Sequence, residues 1–235
     1  MNKLFLALMM AVGIASAQAQ VTGNLGLTSD YKFRGVSQTQ NAPAVQGGID
    51  YNHSSGLYVG NWNSSVSSQV YTGGAGVESD LYAGFKKDLG RGITLDVGSY
   101  NYFYPRTTGS TSFDTREVYA GLGYGPVSAK VSNSLSDYFG IANSKNTRYY
   151  QADLNLPIAN KVSLLAHAGR TNVANSSSLD YNDFNFGVGY NLAGWDIAAK
   201  YYVNNDKSAA FKTANTVNGQ KLYKDAAVVS VSKSF

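Results

Sequence analysis

The stretch Val21-Thr-Gly-Asn-Leu-Gly-Leu-Thr-Ser-Asp-Tyr-Lys-Phe-Arg-Gly35 decides the fold. Its odd positions are Val21, Gly23, Leu25, Leu27, Ser29, Tyr31 and Phe33. Its even positions are Thr22, Asn24, Gly26, Thr28, Asp30, Lys32 and Arg34. One set is apolar and aromatic, the other polar and charged. Successive side chains of a β-strand point to opposite faces, so this is a strand between two unlike environments.

The same period recurs along the chain. Runs at Ala44–Tyr51, Leu57–Ser65, Val77–Asp88, Gly92–Tyr104, Thr115–Tyr124, Val127–Ser136 and Thr147–Leu156 follow the first. Lys161–Thr171, Asp180–Asn191, Trp195–Asn204 and Asp225–Phe235 complete about twelve strands. The third is ambiguous, and Tyr58, Gly60 and Trp62 are taken as its apolar face. No amphipathic helix and no domain linker stand out. The connections alternate. Asn52–Gly56, Leu89–Arg91, Gly125–Pro126, Pro157–Asn160 and Leu192–Gly194 are short and rich in turn residues. The stretches near 36–43, 66–76, 105–114, 137–146, 172–179 and 205–224 are longer and polar. Short turns on one side and long loops on the other are the plan of bacterial outer-membrane barrels. The expected fold is all-β, a transmembrane antiparallel up-and-down barrel.

Charges test that expectation. An Arg or Lys facing lipid costs about 2–4 kcal/mol at mid-membrane and about 0–1 kcal/mol near the interfaces. On the apolar parity the charges are Lys87, Arg116, Arg148, Arg170, Asp225 and Lys233, all near strand ends. On the other parity they fall well inside strands: Asp30, Lys32, Asp80, Lys86, Asp96, Lys130, Asp153, Asp183 and Lys200. Aromatics of the apolar parity gather at strand ends. Tyr51, Tyr58, Phe85, Tyr124, Tyr190 and Trp195 lie beside the short turns, and Phe33, Trp62, Phe103 and Tyr201 towards the long loops. Two aromatic girdles are expected of a barrel in lipid. A soluble β-sandwich or lipocalin-like barrel is the alternative; it would bury its apolar face instead.

The ends agree. Lys3, the apolar run Leu4–Ala15 and the small residues Ala17 and Ala19 read as a secretory leader over residues 1–19. The run is too short for a transmembrane helix, which needs roughly 20 residues. Residues 20–235 form the barrel domain. The chain finishes on an alternating strand with Phe235, which resembles the terminal signal read by the bacterial barrel-assembly machinery. With no Cys and only 14% charged residues, neither a disulfide framework nor a typical soluble surface is expected. The net charge of +4 comes without a basic cluster, so no nucleic-acid partner is expected. About 215 residues over twelve strands leave roughly 18 for each strand and its share of loop, against about 9–11 needed to cross. A barrel of this size has a narrow lumen, between side-chain-filled eight-stranded and open sixteen-stranded ones.

From Ser29 the residues resemble a known family. Ser29-Asp-Tyr-Lys-Phe-Arg-Gly-Val-Ser-Gln-Thr39, then Pro43-Ala-Val-Gln-Gly-Gly-Ile-Asp-Tyr51, His53, Ser55-Gly56, Tyr58, Gly60 and Trp62 are similar to the TorF-type porin family, also known by the domain name Gcw_chp. The resemblance implies an outer-membrane barrel and supplies no substrate.

Candidate functional residues follow from parity. Asp30, Lys32 and Arg34 share one face of strand one, with Lys32 expected opposite Gly48 and diagonal to Asp50. They form either a charged rung that filters ions or an ion-pair network that fills the lumen. Lys130 with Asp153, and Asp183 with Lys200, are placed to pair across strands. The lumen set is therefore Asp30, Lys32, Arg34, Asp50, Asp80, Asp96, Lys130, Asp153, Asp183 and Lys200. His53 and His167 lack the neighbours of a metal site or a hydrolytic triad, so no enzyme and no cofactor are expected. Lys207, Lys212, Lys221 and Lys224 on the last loop offer contact with lipopolysaccharide phosphates, or simply keep it solvated. Two functions stay open. One is a narrow porin passing small solutes or ions. The other is a filled, non-conducting barrel acting through its loops.

Overall fold

A computed structural model describes residues 20–71, 73–106, 111–205 and 208–235. The leader at 1–19 and the loop residues Asp206 and Lys207 lie outside the described residues.

Among the described residues, twelve strands close into one antiparallel barrel. They are β1 (Gln20–Thr28), β2 (Ala44–Asn52), β3 (Leu57–Ser65), β4 (Val77–Gly90), β5 (Ile93–Phe103) and β6 (Thr115–Tyr124). Then come β7 (Val127–Ser134), β8 (Arg148–Ala159), β9 (Val162–Asn172), β10 (Tyr181–Leu192), β11 (Trp195–Asn204) and β12 (Ala226–Ser234). Each pairs with the next, and β12 returns to β1 with Asn24 opposite Ser234 and Thr28 opposite Ser230. Closure leaves no unpaired edge. The last link is made by Phe235, which exchanges two backbone hydrogen bonds with Gly23 (2.9 and 3.0 Å). Its ring covers Gly23, where a Cβ would lie 2.6 Å from Cε2.

The apolar parity is on the outside. Leu25, Ile49, Leu81, Leu122, Phe186 and Val229 each keep half or more of their surface exposed, which suits a barrel wall that meets hydrocarbon. Tyr51, Phe103, Tyr124, Tyr190, Trp195 and Tyr201 share that outer face, and Phe85 lies beside the outward Leu57. Tyr58 and Trp62 do not. Hairpin register sets Asn52 opposite Tyr58 and Asp50 opposite Gly60, so the even positions of β3 share the lumen with Asp50. Leu57 and Val59 face outward instead. This corrects the parity expected for β3.

Inside, tyrosines lie over glycines. Tyr58, Gly84, Gly98 and Tyr119 form one row across β3 to β6. The two bare backbones let the rings approach until their hydroxyls hydrogen-bond to each other and to Asp96 (2.6 Å from Tyr58). A Cβ at Gly98 would sit 2.7 Å from the Tyr119 hydroxyl and 2.6 Å from the Ala83 carbonyl.

The five short connections lie at one end and the long ones at the other. Ala193 (φ 51°) and Gly194 (φ 86°) show how the short ones turn: two left-handed central residues match the twist of the flanking strands. Described residues of the long loops pack inward. Tyr31, Val66, Tyr71, Ala75, Tyr102 and Tyr104 make one buried cluster, and Val36, Tyr181, Phe211 and Leu222 a second. Phe211 sits on a short helix, α1 (Ala209–Ala214), capped by the Ser208 hydroxyl. That helix has no amphipathic run long enough to see in the sequence.

Candidate functional site

Strand β1 stops at Thr28, seven residues short of Gly35, where the expected run ends. The Thr28 hydroxyl donates to the Asp30 carbonyl (2.9 Å), and the chain leaves the wall. Asp30 holds the departing segment together: Ser37 Oγ and Thr39 Oγ1 donate to its carboxylate at 2.5 and 3.2 Å. Between them Lys32 and Phe33 pair with Ser37 and Val36 in a small hairpin. Its tip is Arg34 (φ 47°) and Gly35 (φ 76°). Alternation persists through this segment because a free-standing hairpin is extended too; only its partner differs from that of a wall strand.

The hairpin crosses the barrel. From β1 it reaches β6, β8 and β10 on the far side. Arg34 donates to both carboxylate oxygens of Glu117 on β6 (2.8 and 2.7 Å) and to the Tyr138 hydroxyl (3.0 Å). Its guanidinium lies over the ring of Tyr149 on β8 (4.1 Å to the centroid) and over Phe33 (4.8 Å). A Cβ at Gly35 would be 2.6 Å from Cβ of Asp183 on β10, so glycine permits both the turn and the contact. Lys32 lies at the hairpin base. It pairs with Asp30 (3.3 Å) and donates to the carbonyls of Leu222 and Lys224 (3.0 and 3.3 Å). The first loop is thereby tied to the last. The side chains of Lys32, Arg34 and Glu117 are 0%, 6% and 3% exposed.

A second polar cluster adjoins the tip. His167 on β9 faces carboxylates with both nitrogens, Nδ1 to Asp153 (2.6 Å) and Nε2 to Asp183 (3.1 Å). The Tyr149 hydroxyl lies 2.9 Å from Nε2 and donates to Asp183. Gln151 completes Asp153 (2.7 Å). Tyr149 and Asp183 thus belong to both clusters, which form one network from β6 to β10.

Several expected pairings are replaced. Gly48 faces Asn24, and Asp50 faces Thr22; Lys32 meets neither, because it has left the wall. Asp50 accepts from Tyr82 (2.6 Å) instead. Lys130 lies opposite Gln151, with its ammonium over the Tyr119 ring (5.1 Å), and His167 takes Asp153. Lys200 lies opposite Gly187 and Asp183 opposite Asn204, so those two do not pair. Asp80 is buried with Glu78 at the long-loop end (3% and 1% exposed). Glu117 and Glu78 were absent from the sequence-derived set. Strand parity places Glu117 on the lumen side, opposite to Arg116, and that signal was available. Strand parity puts His167 on the same side, but its two acids come from β8 and β10, which no local pattern joins to it. Among the described residues no group of three His, Cys, Asp or Glu is placed to hold a metal ion.

A closed barrel with an apolar outer face and a charged hairpin across its lumen has the architecture of a porin-type β-barrel. The family model described as "Bacterial protein of unknown function (Gcw_chp)" matches residues 13–235, and the chain belongs to that family. Solved structures share the fold. A KdgM porin aligns with TM-score 0.54 and 7% identity, over 91% of this chain and 98% of that one. A KdgM porin in complex with disordered oligogalacturonate aligns at 0.55 and 8%, over 92% and 98%. A NanC porin aligns at 0.56 and 10%, over 92% and 99%. No curated protein sequence matches the chain.

Proposed function

We propose that this protein is an outer-membrane porin that passes small hydrophilic solutes or ions by passive diffusion, and that its first loop sets the constriction. In this reading the leader at 1–19 directs export, and Phe235 ends the strand recognised by the barrel-assembly machinery. The observation that carries it is the Arg34 tip seated on Glu117 across the lumen. A solute crossing the barrel meets that charged bar, and in a narrow, low-dielectric passage fixed charges act strongly on permeating ions. Asp30, Lys32 and Arg34 act from the hairpin; Asp50, Asp80, Asp96, Lys130, Asp153, Asp183 and Lys200 act from the wall. The TorF-type assignment rests on the motif from Ser29 to Trp62, whose first segment, 29–39, contains the hairpin. The oligogalacturonate in a barrel of the same fold suits a hydrophilic solute class.

One observation favours the other reading. Lys32, Arg34 and Glu117 are almost wholly enclosed, and two apolar clusters close the long-loop end. A barrel packed in this way would carry no current and would act through its loops. Planar-bilayer recording of the refolded protein separates the two. The porin reading requires discrete channels in the wild type, and a reversal potential shifted towards cations in Lys32→Gln/Arg34→Gln. A well-folded wild type that never conducts establishes the filled barrel.

A further inference from the structure

Three arginines on the outer wall have no part in the lumen. Arg116 is the second residue of β6, Arg148 the first of β8 and Arg170 the third from the end of β9. All three are exposed, all belong to the lipid-facing parity, and all stand at the long-loop end. Register places them together. Arg148 lies opposite Asn133 on β7 and Asn172 on β9, and Arg170 opposite Tyr150 on β8. Arg148 and Arg170 are therefore diagonal neighbours, about 7–8 Å apart at the backbone and somewhat less between Cβ atoms. Arg116 is two strands away; its carbonyl accepts from Leu135, two residues beyond Asn133 on β7. Two strand spacings put it on the order of 10 Å from Arg148.

Only Arg170 has an acidic partner among the described residues, and that pair is long and half exposed. Arg170 donates to Asn172 and Asn182 and reaches Asp180 at 3.5 Å. The Arg116 and Arg148 side chains have no hydrogen-bond or ion-pair partner among the described residues. Just below the row the wall is apolar, with Val118, Val131 and Tyr150 exposed. A row of guanidinium groups directly above hydrocarbon-facing side chains sits where lipid headgroups lie. Guanidinium binds phosphate through paired, charge-assisted hydrogen bonds.

We infer that Arg116, Arg148 and Arg170 form a binding strip for a phosphorylated outer-leaflet lipid of the lipid A type. The strip holds the headgroup phosphates while the acyl chains lie on the wall of β6 to β9. The inference rests on the outer-membrane reading above, which supplies the bilayer around the wall and puts the long loops on the outer-leaflet side. It differs from contact through the lysines of the last loop, since Lys212, Lys221 and Lys224 lie on another part of the chain.

The test uses the full mature barrel, refolded in detergent and checked for heat-modifiable gel migration. Native mass spectrometry then counts lipid retained from titrations of three probes: diphosphoryl lipid A, enzymatically dephosphorylated lipid A and inorganic phosphate. Wild type retains diphosphoryl lipid A and loses it on dephosphorylation. Each Arg→Gln change weakens retention about five-fold, and the triple change roughly a hundred-fold, at the energy of one basic residue near an anionic surface. Changing Lys212, Lys221 and Lys224 to Gln leaves retention unaltered. Equal retention by a folded triple variant overturns the strip. So does indifference to the phosphates, or competition by inorganic phosphate at equal concentration. Bilayer conductance of the same samples reports the porin reading separately: a non-conducting barrel that retains lipid A sinks that reading and leaves the strip standing.

Discussion

Arg34 is the residue whose removal says most about the lumen. Arg34→Met keeps much of the side-chain volume and deletes the charge. It removes two charge-assisted bonds to Glu117 and one bond to Tyr138. Glu117 is left enclosed, with the Tyr102 hydroxyl at 3.3 Å as its remaining donor. Breaking one side of a buried ion pair costs about 3–5 kcal/mol, because the orphaned charge stays desolvated. An exposed pair is worth about 0–1 kcal/mol, and Arg170–Asp180, at 48% and 18% exposure, is the internal comparison. Arg34→Met is therefore expected to lose about 3–5 kcal/mol, against less than about 1 kcal/mol for Arg170→Met. Removing both charges, as Arg34→Met/Glu117→Leu, is expected to recover most of the loss, since apolar replacement of a whole buried pair is often neutral. Urea unfolding of the refolded barrel in micelles, followed by intrinsic fluorescence, gives these differences if the slope m is unchanged. A loss below about 1 kcal/mol for Arg34→Met would refute the reasoning. It would mean that water reaches the pair, as in an open passage, and that the hairpin is not packed across the lumen.

Other consequences follow from the wall. Val97 faces outward and Asp96 inward beside Tyr58; Val97→Arg is expected to cost about 2–4 kcal/mol near mid-membrane and to abolish heat-modifiable migration, whereas Asp96→Asn folds. Gly98→Val pushes a side chain into the Tyr119 hydroxyl and the Ala83 carbonyl; a loss of about 1–3 kcal/mol in urea is expected from overpacking, and none would mean the tyrosine row is loose. Deleting Phe235 removes the paired bonds to Gly23 and should lower the amount of barrel in the outer membrane while export to the periplasm continues. Fractionation reads this, and normal outer-membrane abundance would contradict it. Gly35→Val combines a left-handed backbone with contact on Asp183 and is expected to displace the hairpin, seen as a conductance differing from wild type under the porin reading.

The strand count, the outward face and the alternation of short turns with long loops were legible in the sequence. Each strand separates two solvents, and period two records that division residue by residue: Leu25 and Leu27 outward against Asn24 and Thr28. Charges such as Asp96 and Asp183 could be set on the inner side because an ion in hydrocarbon is too costly. Tertiary structure decided the rest. Ser29 to Gly35 alternates as well as any wall strand, but its partners are the last loop and the far wall, and no local pattern distinguishes a strand in a wall from a hairpin across it. In β3 both parities carry large side chains, and only register with Asp50 turned Tyr58 and Trp62 inward. Lumen partners were settled the same way. His167 meets Asp153 and Asp183, and Arg34 meets Glu117 eighty-three positions away, because barrel closure brings distant strands face to face, and a sequence records which side a residue takes but not which residue waits opposite.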